Sequence, residues 1–215
     1  MQYMSVFQEF ISVIRTKLAN PLPGPASQMK MASMRRLMKD GRMVVPGDVK
    51  RGGILALFYP ANGDICLVLM KRTEYPGVHS GQISFPGGGW EPGDKDLVMT
   101  ALRETEEEIG VKRESVIPLG KLSDLFIPPS NFLVTPVVGY IAERPDFRPD
   151  PIEVDRILEI PLEHLLREET KQVRDIPVFP YTKMQVPCFN VNGNIIWGAT
   201  AMMLNELIDV INQES

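Results

Sequence analysis

Residues 85–111, FPGGGWEPGDKDLVMTALRETEEEIGV, join a glycine-rich extended piece to a strongly helical run ending in four glutamates within five positions. The helix is expected at about 96–110. Residues three and four apart share a helix face, so Glu104, Glu107 and Glu108 should lie together within about one turn. Val98, Leu102, Thr105 and Ile109 gather on a different face, suited to packing on a sheet while the glutamates look outward. Like charges so placed cost roughly 0.2–0.5 kcal/mol per pair, and more if buried, a penalty that a divalent cation removes. Oxygen ligands without clustered His or Cys select a hard ion, Mg²⁺ or Mn²⁺, over zinc. Alone, ETEEE reads as an ordinary solvated helix face. The preceding Phe85-Pro86-Gly87-Gly88-Gly89 shifts the balance, because backbone without side chains can approach a ligand closely and offer a carbonyl to a metal.

Working outward, short β-like runs lie at 54–59 (ILALFY) and 65–71 (ICLVLMK), joined by Ala61-Asn62-Gly63-Asp64, a hairpin turn signal. Gln82–Phe85 is a short extended piece. Further strands are expected near 116–125, 133–142 and 154–159, with a short helix opened by Pro161. Val186–Ile196 reads as a hairpin around Asn192-Gly193, and 198–211 as a closing amphipathic helix. Toward the N-terminus, Val6, Phe10, Val13, Ile14 and Leu18 have helical spacing, Asn20-Pro21 ends that helix, and residues 21–42 read as an irregular arm. Strands and helices alternate irregularly, which favours an α+β fold with a mixed β-sheet and helices on both faces over a doubly wound parallel sheet. The expected organisation is an N-terminal helix and arm over 1–49 and one domain over 50–215.

A chain of 215 residues can bury a full core. No stretch approaches the roughly 18 apolar residues needed to cross a bilayer. Glu9 and Arg15 interrupt the apolar N-terminal run, against a signal peptide. A net charge of −4 argues against nucleic acid or anionic membrane as partner. Cys66 and Cys188 lie in apolar runs without metal-ligand spacing, fitting buried free thiols and a cytoplasmic location.

Arg103-Glu104-Thr105-Glu106-Glu107-Glu108-Ile109-Gly110-Val111 resembles the second half of the Nudix hydrolase box, with Thr105 at an apolar position. In the first half, five residues after Gly88 lead to Asp94 rather than Glu, and eight residues rather than seven separate it from Arg103. Asp96 is suited to capping the helix. Upstream, Val68-Leu69-Met70-Lys71-Arg72-Thr73, Gly77, Gly81 and Phe85-Pro86-Gly87-Gly88 keep the spacing of the coenzyme A diphosphatase branch, with Gly77 where that motif has Arg. Glu153-Val154, Ile160-Pro161-Leu162 and Ile196–Ala201 resemble the same branch.

The resemblance implies a Nudix-type α/β/α sandwich and attack by water on one phosphorus of a diphosphate, with Mg²⁺ or Mn²⁺ as cofactor. It implies Glu104 and Glu108 as principal metal ligands, Glu107 as a third and the Gly88 carbonyl as a fourth. Arg103 would orient a neighbouring glutamate, and either Glu107 or Glu153 would be the general base. Arg72, Gly81, Phe85 and Gly87 are the expected substrate-binding residues, with Lys71 a further candidate. His79 reads as a hydrogen-bonded loop residue. The implied substrate is coenzyme A or acyl-CoA, giving 3′,5′-ADP and a 4′-phosphopantetheine. Another nucleoside diphosphate derivative such as ADP-ribose, or a non-catalytic nucleotide-sensing module, is the alternative. A homodimer is compatible with the sequence.

Overall fold

The computed structural model describes residues 2–33, 38–39, 42–43, 45–178 and 182–213. In chain order these form α1 (Gln2–Leu18), α2 (Gly24–Gln28), β1 (Met38–Lys39), β2 (Arg42–Met43), β3 (Lys50–Ala61), β4 (Asp64–Arg72), β5 (Ile83–Ser84), β6 (Gly87–Gly89) and α3 (Leu97–Ile109). Then follow β7 (Ile117–Lys121), β8 (Leu125–Ile127), β9 (Phe132–Tyr140), β10 (Val154–Pro161), α4 (Leu162–Leu166), β11 (Lys171–Val178), β12 (Thr182–Val191), β13 (Asn194–Trp197) and α5 (Gly198–Asn212).

The main sheet runs β10-β4-β3-β9-β7, with β5 beside β4, β6 beside β3 and β8 beside β9. β3 and β9 are parallel and the other pairs antiparallel, so the sheet is mixed, as expected. The β3–β4 hairpin turns on Asn62 and Gly63, with φ of 52° and 88°. A two-residue loop whose twist suits paired strands needs positive φ at both positions, which Asn-Gly supplies. Asn192-Gly193 does the same between β12 and β13.

Side chains alternate across a strand, and here both faces of β3 are covered. Ile54, Ala56 and Phe58 pack with Phe7, Ile11 and Ile14 of α1 and Leu204, Leu207 and Ile208 of α5. Leu55, Leu57 and Tyr59 pack with Ala101, Leu102 and Ile109 of α3.

Three expectations change. Residues 21–42 are not wholly irregular: α2 and a 3₁₀ turn at Met29–Met31 fill part of that stretch, while 34–37 and 40–41 lie outside the described residues. The buried Glu206 of α5 anchors this segment, its Oε1 accepting from the Gly24 N–H (3.1 Å) and the Ser123 N–H (3.1 Å) and its Oε2 from Gln28 Nε2 (2.8 Å). The strand expected over 116–125 is divided at Leu122 into β7 and β8. β11 adds an unexpected strand; its Pro177 is tolerated because β11 is an edge of the β11-β12-β13 sheet.

Candidate active site

Close approach of three backbones builds the site. β6 pairs with β3 through Gly52–Gly89, Gly53–Gly88 and Ile54–Gly87, and α3 crosses directly over them. A Cβ on Gly88 would stand 2.6 Å from the Glu104 carboxyl atoms, and one on Gly52 would stand 2.5 Å from the Gly88 carbonyl oxygen. The glycines therefore set how near the helix carboxylates come to the β6 backbone. Asp96 caps α3 by accepting from the Met99 N–H at 2.9 Å, and Gly110, at φ 73°, closes it in the left-handed conformation. Thr105 is buried and returns its hydroxyl proton to the Ala101 carbonyl at 2.6 Å, so this polar residue serves an apolar position.

The glutamates do not all look outward. Glu108 is 3% exposed and accepts from the Gly87 N–H at 2.7 Å and from Arg72 Nη1 at 3.2 Å. Burial pushes its carboxyl up to about 8, against the Gly87 N–H and Arg72, with the Glu104 and Glu153 charges adding to the rise. Glu104 is also shifted upward, first by burial, with Arg103 opposing. Both line a cavity of about 320 Å³ together with Arg72, Phe85, Gly87, Gly88 and Glu153. Seven residues singled out from the sequence thus share one cavity wall.

Others stand apart. Glu107 is 55% exposed and paired with Arg103 at 2.9 Å, outside the cavity lining. The Glu104–Glu108 stripe, one helical turn apart, faces β6, which leaves Glu107 on the solvent side. Arg103 lies behind the cavity and gathers partners: Asp94 through Nε (3.1 Å) and Nη2 (3.0 Å), Glu104 (3.0 Å), Glu107 and the Gly89 carbonyl (2.9 Å). Asp94 is buried and also accepts from Thr100 Oγ1 at 2.9 Å. Arg103's hydrogen bonds hold the Asp94 carboxyl below its ordinary value, and those bonds hold Arg103 firmly charged. Despite the inserted residue, Asp94 therefore reaches the box arginine. Gly81, at φ 64°, closes a loop by donating to the Thr73 carbonyl and is not in the lining, and Lys71 pairs with Asp155 at 3.1 Å.

Sequence reasoning missed Tyr75, Val78, Phe132, Thr200 and Met203, which complete the cavity. They come from loops, β9 and α5; Thr200 falls within the Ile196–Ala201 run quoted above, and nothing in the spacing of the other four points to a site. His79 lines the cavity too, its Nδ1 3.1 Å from Gln82 Oε1.

A mixed sheet between helical layers, with a carboxylate pair on a helix pressed against a glycine strand, is the architecture of the Nudix class. The chain belongs to the Nudix family: the family model described as NUDIX domain matches residues 49–185, more than half of it. It is 34% identical over 170 residues to Nudix hydrolase 22, chloroplastic, of Arabidopsis thaliana, covering 76% of this chain and 56% of that protein. This chain thus spans little more than half the length of that relative. Nudix hydrolase 3 of Caenorhabditis elegans is 30% identical over 192 residues, covering 82% of this chain and 80% of its own. An uncharacterized Nudix hydrolase, NudL, of Photorhabdus laumondii is 34% identical over 141 residues, covering 66% and 74%. Among solved structures, the MutT protein from Methanosarcina mazei Go1 superposes with a TM-score of 0.50 at 18% identity, covering 77% of this chain and 96% of that one. That likeness concerns the fold. Among the described residues no helix is long and apolar enough to cross a membrane.

Proposed function

We propose that this chain hydrolyses the diphosphate bond of coenzyme A or an acyl-CoA, giving 3′,5′-ADP and an (acyl-)4′-phosphopantetheine, with Mg²⁺ or Mn²⁺ as cofactor. The observation that carries the reading is the convergence of Glu104, Glu108 and Glu153 on one cavity with Arg72 as their cationic neighbour. Glu104 and Glu108 are both shifted upward, first by burial, which Arg103 and Arg72 do not fully offset; a bound cation would offset it further. Among the described residues no three acidic, His or Cys side chains form a closed ligand set. The Glu104 and Glu108 carboxylates would hold the ion, with water completing the shell, as suits Mg²⁺; the Gly88 carbonyl, the fourth donor the resemblance implies, stands on the β3 side, 2.5 Å from where a Cβ on Gly52 would be. When bound, the ion neutralises diphosphate charge and lowers the pKa of water.

The chain's own groups do the rest. Arg72 has a buried Nε–H with no partner among the described residues, a donor available to a phosphate oxygen. Arg103, tied to Asp94, orients Glu104 and is a positioning residue. Of the two candidates for general base, Glu153 lines the cavity and Glu107 does not, which favours Glu153 as acceptor of the proton from attacking water. Phe85, Phe132 and Met203 give the same cavity an apolar wall that suits a nucleobase or a pantetheine arm. The choice of coenzyme A draws on the spacing from Val68 to Gly88, which brings Arg72 to that wall. Two buried free thiols suit the reducing cytoplasm we propose as its location, although the plant relatives carry chloroplastic and mitochondrial names.

The test is turnover of coenzyme A, acyl-CoA, ADP-ribose and sugar nucleotides with Mg²⁺, with products resolved by chromatography. Coenzyme A or its acyl derivatives should lead. ADP-ribose turnover far above theirs overturns the substrate, and binding without turnover of any compound overturns hydrolysis in favour of a sensing module.

A further inference from the structure

The turn at the end of the loop between β4 and β5 is tied three times to backbone. The Gly81 N–H donates to the Thr73 carbonyl at 3.1 Å, the Arg72 N–H to the Gln82 carbonyl at 2.9 Å, and the Gln82 N–H to the His79 carbonyl at 3.2 Å. Within this turn His79 holds φ 68°. Left-handed backbone costs a residue that carries a Cβ, and glycine and asparagine meet the cost best. The other described residues with positive φ are glycines and Asn62, Asn131 and Asn192. The turn by itself gives no reason for an imidazole.

The cavity gives one. His79 and Gln82 both line it. His79 Nδ1 stands 3.1 Å from Gln82 Oε1, and an amide oxygen only accepts, so Nδ1 carries the proton. In the neutral ring this leaves the lone pair on Nε2. Nε2 has no hydrogen bond among the described residues and is not one of the buried unpartnered atoms, so it is open to a ligand. A lone pair accepts from N–H or O–H and repels the oxygens of a diphosphate. It therefore suits the organic part of a substrate, and Arg72 is left for the phosphates.

We propose that His79 is a substrate-binding residue whose Nε2 accepts a hydrogen bond from an N–H or O–H of the substrate's organic part, and that Gln82 is the positioning residue that fixes its tautomer. The consequence for turnover rests on the hydrolase reading; the contact itself does not. That donor is an amino or hydroxyl group on an adenosine, or an amide N–H on a pantetheine arm.

The chain has two histidines, and His164 lies outside the cavity lining, so ¹⁵N spectra of the imidazoles carry their own control. His79→Asn identifies the His79 signals by their loss. At alkaline pH the free protein should show His79 with the proton on Nδ1. With Mg²⁺ present, 3′,5′-ADP, ADP-ribose and 4′-phosphopantetheine are added in turn. The His79 Nε2 resonance should move and that of His164 should not. Movement with the first two places the donor on the adenosine, and movement with the third places it on the pantetheine arm. In kinetics on the best substrate of the panel, His79→Asn should raise KM about tenfold with kcat changed by less than about twofold, as loss of uniform binding does. Its melting temperature should hold, because asparagine accepts that backbone. Gln82→Leu should mix the two tautomers in the free protein and raise KM by less. The double variant should be no worse than His79→Asn, because both changes act through one ring. An Nε2 resonance unmoved by all three compounds overturns the proposal, and losses that add in the double variant overturn the part given to Gln82. If the parent turns over no compound, the hydrolase reading fails alone, and the Nε2 resonance still decides the role of His79.

Discussion

Glu108→Gln should make the metal-free protein more stable at alkaline pH while abolishing its activity. The Glu108 carboxyl titrates at about 8 in the fold against 4.5 for the free group, chiefly because burial disfavours its charge. A carboxyl whose folded value is raised contributes stability that is fully present below the unfolded value and is lost as pH rises through the folded one. The relevant window therefore runs from about pH 4.5 to about pH 8. At about 1.4 kcal/mol per unit, the full loss is on the order of 5 kcal/mol. Glutamine keeps the shape and has no charge to bury; its one oxygen can accept from the Gly87 N–H or from Arg72 but not from both, since these meet different carboxyl oxygens, so the gain at alkaline pH should fall short of the full loss. In urea unfolding with EDTA, the variant should be the more stable protein at pH 8.5, and the gap should shrink toward pH 5. Adding Mg²⁺ should stabilise the parent and not the variant, since an ion that binds only the folded state shifts the equilibrium by mass action. A variant less stable than the parent at pH 8.5 in EDTA, or equal stabilisation of both by Mg²⁺, would refute the reasoning that Glu108 is a carboxylate held for a cation.

Three further outcomes follow from the same geometry. Gly88→Ala places a methyl 2.6 Å from the Glu104 carboxyl atoms; displacing that group by about 1 Å should lower kcat by roughly 10²-fold, with a small change in melting temperature in a thermal scan. Asp94→Ala strips the buried partner from Arg103 and should cost about 3 kcal/mol in denaturant titration at pH 7. Because Asp94 is held below its ordinary value, its contribution is lost as pH falls, so the alanine variant should also show a shallower acid dependence of stability. Glu206→Ala leaves the donors at Gly24, Gln28 and Ser123 without an acceptor and should cost about 3 kcal/mol, with limited proteolysis detecting release of α2.

By itself the sequence determined what short-range chemistry can decide. Asn62-Gly63 and Asn192-Gly193 named their hairpins because few other pairs accept positive φ twice. Asp96 marked the start of α3 because a helix end needs a cap, and ILALFY marked a strand. The box spacing identified Glu104 and Glu108, since i, i+4 residues must share a helix face. Only tertiary structure decided what those residues face. A helical wheel treats Glu104, Glu107 and Glu108 as one outward patch, yet α3 rests on glycine backbone that turns Glu108 inward and leaves Glu107 to Arg103. Asp94, displaced by an insertion, reaches Arg103 because a buried carboxylate needs a partner, whatever their spacing along the chain. Tyr75, Phe132 and Met203 enter the cavity from three segments remote in sequence, and no periodicity within any one segment encodes a wall that all of them share.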